Sequence, residues 1–330
     1  MVMGNDKIDF IITWVNGEDP NWLKERAKFE NRKNGDYSIN RFRDWGLLKY
    51  WFRGVEKFAP WVNKIHFVTW GHIPEWLNQN NPKLNIVKHS DFIPHEYLPT
   101  FNSNAIELNL HRINGLSEKF VYFNDDVFII KPVKSGFFFI NDIPCDSAVL
   151  TAVQPTKRII DHVIFNNMKV INENFRKSKS FEKYISYKYG IYNLKSLFML
   201  PFRKYSAFQD FHCHLNLKKE TLENLWGKEF EVLDECCRNK FRTRNDISIW
   251  LARYWQLASG QFIASRINDG YYEIDDVKII DAISKQRDFI ICLNDVVSDE
   301  NILELKSTIV ESFEVILPDF SAFEVNEDYL

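Results

Sequence analysis

The sequence predicts an α/β fold: a mostly parallel sheet flanked by helices, with an inserted helical subdomain. Three observations carry this. From Ile8 to Asp126, short apolar runs alternate with amphipathic runs at helical spacing, the rhythm of a parallel sheet. One run, Phe120-Val121-Tyr122-Phe123, is apolar throughout and ends on Asn124-Asp125-Asp126. It reads as a buried strand whose acids stand at the carboxyl rim of the sheet, where open α/β sheets bind their ligands. The chain has 330 residues, enough for one large domain with a sizeable insertion, and shows no internal repeat or low-complexity tract.

The first strand, Ile8 to Val15, leads into the turn Asn16-Gly17-Glu18-Asp19-Pro20. A glycine here lets backbone N–H groups approach a phosphate, although the loop is neither a Walker loop nor a G-x-G-x-x-G, and a plain turn accounts for it equally. Residues 31–43 are polar and read as a surface loop over a site. Asp44 is expected to cap a helix in which Leu47, Leu48, Trp51, Phe52, Val55 and Phe58 share a buried face, with Arg43, Lys49 and Arg53 as the nearby cations. Lys64 to Thr69 is the second strand, with Trp70-Gly71-His72 at its end, and Leu84 to Val87 is the third. Asn102 or Ser103 is placed to cap the next helix, with Ile106, Leu110 and Ile113 on its apolar side. Glu107 and His111 are four apart and so share a helical face, turned either to the acidic strand end or to solvent. Gly115 ends this helix and the acidic strand follows.

Between 156 and 205 Lys, Asn, Tyr and Phe dominate and the patterning is irregular, which suggests an inserted helical subdomain or lid. The chain thus divides into 1–155 and 206–317, the two parts of the α/β domain, the insertion 156–205, and a tail 318–330 expected to be loose or surface-lying. Phe208 to His214 contains His212 and His214, which on a strand would face one way. No neighbouring set of Cys and His completes a zinc site, so His212 reads as a phosphate-binding or proton-handling residue and His214 as mostly structural. Arg242-Thr243-Arg244-Asn245-Asp246 precedes a helix with the stripe Ile247, Trp250, Leu251, Tyr254, Trp255 and Ala258, capped by Asn245 or Asp246 and stopped by Gly260. Arginine beside a helix N-terminus makes an anion site. Asp288 to Asp295 is a late strand and 299–315 an amphipathic helix.

Bulk composition excludes several classes. The net charge of −3 disfavours a nucleic-acid binder. Five cysteines, at irregular spacing and without a C-x-x-C, argue against a disulfide scaffold and suit a reducing cytoplasm. No apolar run approaches the roughly 20 residues of a spanning helix, and no signal peptide is visible, so any membrane contact is expected to be peripheral. Aromatics reach 15%, which suits a thick core, sugar-stacking surfaces, or both. Asp125 and Asp126 form either a polar turn or a site for Mg²⁺ or Mn²⁺, hard cations that take carboxylate oxygens and share themselves with substrate phosphates.

These blocks together resemble the Stealth family of sugar-phosphate transferases, which includes bacterial capsular and exopolysaccharide phosphotransferases and the animal enzyme that places N-acetylglucosamine-1-phosphate on lysosomal proteins. The resemblance lies in Ile8 to Pro20; in Arg43-Asp44 through Ala59-Pro60-Trp61-Val62, His72-Ile73-Pro74-Glu75-Trp76-Leu77 and Leu98-Pro99-Thr100-Phe101 to Asn124-Asp125-Asp126; around His212; and in Arg242 to Gly260. His212-Cys213-His214 lacks the proline usual after the family's histidine.

The resemblance implies a nucleotide-sugar-binding sheet and transfer of hexose-1-phosphate from a UDP-hexose or UDP-N-acetylhexosamine to a hydroxyl of a glycan or lipid-linked glycan, with UMP leaving. It implies Mg²⁺ or Mn²⁺ on Asp125 and Asp126, a uridine and phosphate pocket at Asn16, Gly17 and Asp19, and phosphate neutralisation by Arg53, Arg242 and His212. One of Asp126, Glu107, His111 or His212 is expected to accept the acceptor proton. Thr13, Asp44, Asn102, Ser103, Arg112, Asn245 and Asp246 are the further expected substrate-binding positions. The setting expected is surface-polysaccharide assembly in the cytoplasm of a bacterium with an AT-rich genome, at most peripheral to the inner face of the membrane. Rival readings are a metal-dependent glycosyltransferase that releases UDP and a non-catalytic glycan-binding module.

Overall fold

The structure, a computed structural model, describes residues 7–30, 42–154, 156–177, 181–212, 214–266, 269–297 and 302–325. The expected loop 31–43 therefore lies almost wholly outside the described residues. In chain order come β1 (Ile8–Trp14), α1 (Pro20–Phe29), α2 (Leu48–Phe58), β2 (Ile65–Thr69), β3 (Leu84–Lys88), the short α3 (His89–Phe92), α4 (Ser103–Leu108) and β4 (Lys119–Phe123). The second half opens with β5 (Val127–Ile129), β6 (Phe139–Ile140), β7 (Ile143–Asp146), β8 (Leu150–Thr151), α5 (Ile159–Asn174), α6 (Asn193–Met199) and β9 (Ala207–Phe208). It continues through β10 (Leu215–Lys218), α7 (Lys219–Lys228), α8 (Phe230–Arg238), α9 (Trp250–Ser259), β11 (Ile263–Ala264), β12 (Asp269–Glu273), α10 (Lys278–Ser284), β13 (Ile290–Asn294) and α11 (Ile302–Ile316).

The main sheet has the order β10-β4-β1-β2-β3. β4, β1, β2 and β3 run parallel, and β10 closes one edge antiparallel. Both faces are covered, which is why the strands read as continuous apolar runs. In β1, Ile8, Phe10, Ile12 and Trp14 enter one core beside Trp51 and Phe52 of α2 and Phe313 of α11. Ile11 of β1 and Phe120 and Tyr122 of β4 enter the other, beside residues of α4, α5, α7, α8 and α9. Asp9 is the one acid buried in β1. Burial alone would raise its pKa, but His66, Asn63 and the Ser117 N–H hold it below the usual carboxylate value.

A second sheet, β12-β13-β5, joins the first through the turn Asn124-Asp125-Asp126. β5 begins one residue after Asp126, and the Leu293 N–H donates to the Asp126 carbonyl at 2.9 Å. The carboxyl end of β13 is thereby brought to the acidic rim of the main sheet.

Several local expectations need correction. Asp44 does not cap α2, whose N-cap is Leu47; it accepts instead from the Gly46 N–H at 2.6 Å. The helix expected after Asp246 starts only at Trp250, because the Asp246 carboxylate is consumed by loop donors. His212 and His214 share no strand: His212 sits in a loop with φ +53°, and β10 begins at Leu215. The tail is not loose as far as residue 325. Phe323 packs on Phe52 with ring centroids 5.3 Å apart, Glu324 pairs with Arg53, and the Val325 N–H donates to the Trp76 carbonyl at 2.8 Å. A buried arginine on α2 needs a carboxylate partner, and the tail supplies it.

Candidate active site

Parallel strands bring their carboxyl ends to one rim. β1 and β4 are in register at Ile12 and Phe123, so Thr13 stands beside Asn124. A cavity of about 640 Å³ opens above this rim. Of the residues singled out in the sequence, Thr13, Asp44, Ser103, Glu107, Asp125, Asp126, His212 and Arg242 line it. Asn16, Gly17, Asp19, Arg53, Asn102, His111, Arg112, Asn245 and Asp246 do not.

Asp125 and Asp126 form the cavity's acidic floor. Desolvation by the surrounding protein raises Asp125 from 3.8 to about 7, helped by the charges of Asp126 and Asp44. Desolvation likewise raises Asp126 to about 6, against a thiol contact from Cys292, whose Sγ lies 3.6 Å from Oδ2. Both carboxylates face cavity water, which tempers the size of these shifts without changing their direction. Asp126 Oδ1 is buried and has no hydrogen-bond partner. A buried, unpartnered carboxylate oxygen beside a second acid suits a divalent cation. Among the described residues no cluster of three or more Asp, Glu, His or Cys could enclose an ion. A pair of carboxylates would fit Mg²⁺, which dehydrates reluctantly and binds through one or two carboxylates plus phosphate and water.

Arg242 lines the same cavity. Its Nε donates to Ser103 Oγ at 3.0 Å, and a second bond runs from Nη2 to the same oxygen. Two loops are zipped to achieve this. The Phe101 N–H donates to the Lys240 carbonyl at 2.9 Å, and the Phe101 and Phe241 rings stack at 5.3 Å. Beneath them Asp246, fully buried, accepts from Asn102 Nδ2 at 2.8 Å, Asn239 Nδ2 at 2.8 Å, and Thr243 N and Oγ1 at 3.0 and 2.7 Å. Asn102 also caps α4 through the Asn104 N–H. Asn102 and Asp246 are thus framework that positions Ser103 and Arg242.

Glu107, on α4, is buried, and desolvation raises its pKa against the pull of Arg242 and of hydrogen bonds from Ser103 and Tyr122. The Tyr122 hydroxyl lies 3.1 Å from Thr13 Oγ1 and 2.7 Å from Asn124 Oδ1, which ties β1 to the acidic turn. His111 does not follow Glu107 into the cavity. The helix tightens to a 3₁₀ turn at Leu110–Arg112, so the four-residue spacing no longer keeps the two side chains on one face. His111 turns instead to Trp226, over which the Arg112 guanidinium also lies, 4.8 Å from the ring centroid.

His212 opens onto the cavity, with its ring 6.0 Å from Trp250 and 5.6 Å from Tyr271. Desolvation, and then the charge of Arg158, lower its pKa below the ordinary histidine value. His214 lies among the rings of Phe123, Phe137 and Phe138 and borders a separate cavity of about 320 Å³.

The turn after β1 is built locally. Asn16 N donates to His72 Nε2 at 2.7 Å, Asn16 Oδ1 accepts from the Glu18 N–H at 3.0 Å, and Asp19 caps α1 by accepting from the Trp22 N–H at 2.8 Å. A Cβ on Gly17 would meet the Phe42 carbonyl oxygen at 2.0 Å, so only glycine lets the Phe42 backbone approach. Arg53 is removed from the site altogether, because its guanidinium is held by Glu324 at 2.8 Å and by the Leu317 carbonyl at 3.0 Å.

Sequence reasoning missed other lining residues. Arg43 Nη1 donates to Asp295 at 2.8 Å, and Trp45 Nε1 donates to the same carboxylate at 3.0 Å. Asp295 and His89 each follow the end of a strand, the signal that singled out Asp125, and could have been found by it. Arg158 lies in the segment read as an insertion and carried no such signal. The lining offers the carboxylates of Asp44, Glu107, Asp125, Asp126 and Asp295 against the guanidiniums of Arg43, Arg158 and Arg242.

A family model described as Stealth protein CR2, conserved region 2, matches residues 41–145, and one described as Stealth protein CR1, conserved region 1, matches residues 6–34. A capsular polysaccharide phosphotransferase WcwK of Streptococcus pneumoniae is 43% identical over 329 residues, covering 97% of this chain and 98% of that protein. The exopolysaccharide phosphotransferase cps2G of Lactiplantibacillus plantarum is 39% identical, covering 96% of each chain. The receptor polysaccharide phosphotransferase WefC of Streptococcus oralis is 36% identical, covering 97% of this chain and 100% of that protein. Among solved structures, the galactosyltransferase LgtC in complex with donor and acceptor sugar analogs superposes with a TM-score of 0.40 at 9% identity, over 97% of this chain and 98% of that one.

Proposed function

The chain belongs to the Stealth family, and from that premise we propose that it moves hexose-1-phosphate from a UDP-hexose or UDP-N-acetylhexosamine to a hydroxyl of a glycan acceptor. The acceptor oxygen attacks the sugar-bearing phosphorus, the bond from that phosphorus to the UMP oxygen breaks, and the acceptor proton passes to the protein. A phosphodiester and UMP result.

The observation that carries this reading is the meeting of Asp125 and Asp126 with Arg242 and His212 around one cavity at the strand ends. Phosphoryl transfer asks a protein mainly for positioning and charge neutralisation. In this reading Asp125 and Asp126 hold Mg²⁺ or Mn²⁺, which when bound neutralises charge on the diphosphate. Arg242, steadied by Ser103, donates to the transferred phosphoryl oxygens. Thr13, Asp44 and the Trp22 and Phe101 rings line the space for the nucleotide.

Among the candidate bases, His111 does not line the cavity, and Glu107 is engaged with Ser103, Tyr122 and Arg242. His212 is open to the cavity, and its lowered pKa leaves it neutral at physiological pH, ready to take the acceptor proton. The deciding experiment is product analysis with a panel of UDP-hexoses. UMP together with a new phosphodiester signal in the ³¹P NMR spectrum of the glycan supports phosphotransfer. Release of UDP with an ordinary glycosidic product overturns it in favour of glycosyl transfer.

A further inference from the structure

The segment from Tyr187 to Phe202 anchors inward through Tyr189, Met199 and Leu200 and through two polar contacts, in which the Ala148 N–H donates to the Tyr189 hydroxyl at 3.1 Å and the Leu150 N–H donates to Ser196 Oγ at 2.9 Å. Six of its other large apolar or aromatic side chains point to water. Tyr187, Ile191 and Phe198 are 82%, 77% and 78% exposed, and Leu194, Leu197 and Phe202 are also exposed. An amphipathic helix at a protein surface ordinarily shows the opposite arrangement. Exposed apolar side chains concentrated in one segment in this way mark an interaction site.

Charge identifies the partner. Residues 183–209 contain five basic residues and no acid, in a chain whose net charge is −3. Lys195, Arg203 and Lys204 flank the exposed apolar side chains and are themselves exposed. Lys195 Nζ donates to the neutral Gln209 at 2.7 Å, and Lys204 Nζ to the Asn172 carbonyl at 2.7 Å, so neither charge is cancelled. Aromatic and aliphatic side chains ringed by uncompensated lysine and arginine fit an interface of anionic headgroups over acyl chains. No helix among the described residues is long and apolar enough to cross a membrane, so this would be contact in the plane of one leaflet.

We propose that α6 and the turn before it form a membrane-docking surface that binds anionic phospholipid. The surface seats the enzyme at the leaflet by inserting Ile191, Leu194, Phe198 and Phe202, while Lys195, Arg203 and Lys204 meet the headgroups. This is a binding function separate from the cavity chemistry, and it does not depend on the phosphotransfer reading.

The test is co-sedimentation of the full chain with vesicles of phosphatidylcholine alone or of phosphatidylcholine mixed with phosphatidylglycerol, without sugar nucleotide. The wild type is expected to pellet with the anionic vesicles, less so at high salt, and weakly with the neutral ones. Ile191→Ser combined with Phe198→Ser is expected to lower partitioning about tenfold or more, given about 0.8 kcal/mol per buried CH₂. Leu303→Ser, at an equally exposed leucine on α11, is expected to pellet like the wild type. Circular dichroism melting verifies that each variant folds. Equal pelleting by wild type and the double variant, or no preference for phosphatidylglycerol, overturns the proposal. So does a wild-type dimer in analytical ultracentrifugation that the same double variant dissolves, because the patch would then be a self-interface.

Discussion

Asp246 Oδ2 accepts from Asn102 Nδ2 at 2.8 Å, across 144 residues of sequence and with both side chains fully buried. This bond joins the loop that begins α4 to the loop that carries Arg242. Asp246→Ala leaves the Asn102, Asn239 and Thr243 donors without their acceptor, at about 1–3 kcal/mol for each buried group left unpaired. Thermal melting is expected to show a large loss of stability. Asp246→Asn, which keeps the shape but adds a donor among donors, should restore little of it. If either variant melted like the wild type, the zipped-loop account of Arg242 would fall.

The acidic floor predicts a pH-dependent stability that the metal should remove. Burial raises Asp125 from 3.8 to about 7, with added repulsion from Asp126 and Asp44, and burial raises Asp126 from 3.8 to about 6. The unfolded chain gives up these protons first, so the stability associated with them is fully present below pH 3.8 and is lost as the pH rises through about 7. Magnesium should therefore raise the melting temperature strongly at neutral pH and little near the unfolded carboxyl pKa. Asp125→Asn should flatten the pH dependence and cancel most of the magnesium effect. Melting curves with and without magnesium across this range check both, and a magnesium effect that ignores pH would argue against the site.

In turnover, Asp125→Asn and Asp126→Asn are each expected to lower kcat by more than about 10²-fold, as for removal of a principal electrostatic stabiliser. Arg242→Ala should cost a similar factor. Arg242→Lys should recover only part, since a lysine cannot reproduce the forked contact with Ser103 and a phosphoryl group together. Initial rates of UMP release measure all four variants.

His212→Gly should separate chemistry from backbone strain. The residue sits at φ +53°, a conformation that glycine adopts without steric cost. Melting temperature is expected to hold or rise, while kcat falls about 10²- to 10⁴-fold with loss of a general base. Because desolvation holds the His212 pKa below the ordinary histidine value, the part of the acid limb of the kcat profile that His212 contributes should lie on the low side of that value and be lost in the variant.

Arg53 and Glu324 supply a stability prediction with no kinetic counterpart. Both are buried and paired at 2.8 Å, away from the cavity. Arg53→Ala strands a buried carboxylate and is expected to cost about 3–5 kcal/mol. Truncation after Leu317 should destabilise comparably. KM for the UDP-sugar in the folded fraction should not move, and a selective rise in KM would return Arg53 to the site.

Periodicity and composition sufficed for β1 to β4, the late strand β13, the mostly parallel sheet and the acids at its rim, because strand burial and strand ends leave local signatures; the short strands β5 to β9, β11 and β12 and the antiparallel edge strand β10 left none that was legible. Asp125 and Asp126 were nameable from the strand end they follow and Arg242 from the helix start beside it, whereas Glu107 was flagged by its spacing to His111, His212 by the His-x-His pair, and Thr13 and Ser103 as site residues only through the family resemblance. Which of them meet, and which of their neighbours hold them in place, was not local information. His111 parted from Glu107 when a helix tightened by a fraction of a turn. Arg53 looked like a phosphate ligand until the tail brought Glu324 to it, and Asp246 looked like a helix cap until four loop donors converged on it. A residue's type and spacing determine the chemistry it offers and the element it belongs to. Its partner is decided only by packing, since a buried charge goes to whichever distant group the folded chain brings within hydrogen-bond reach.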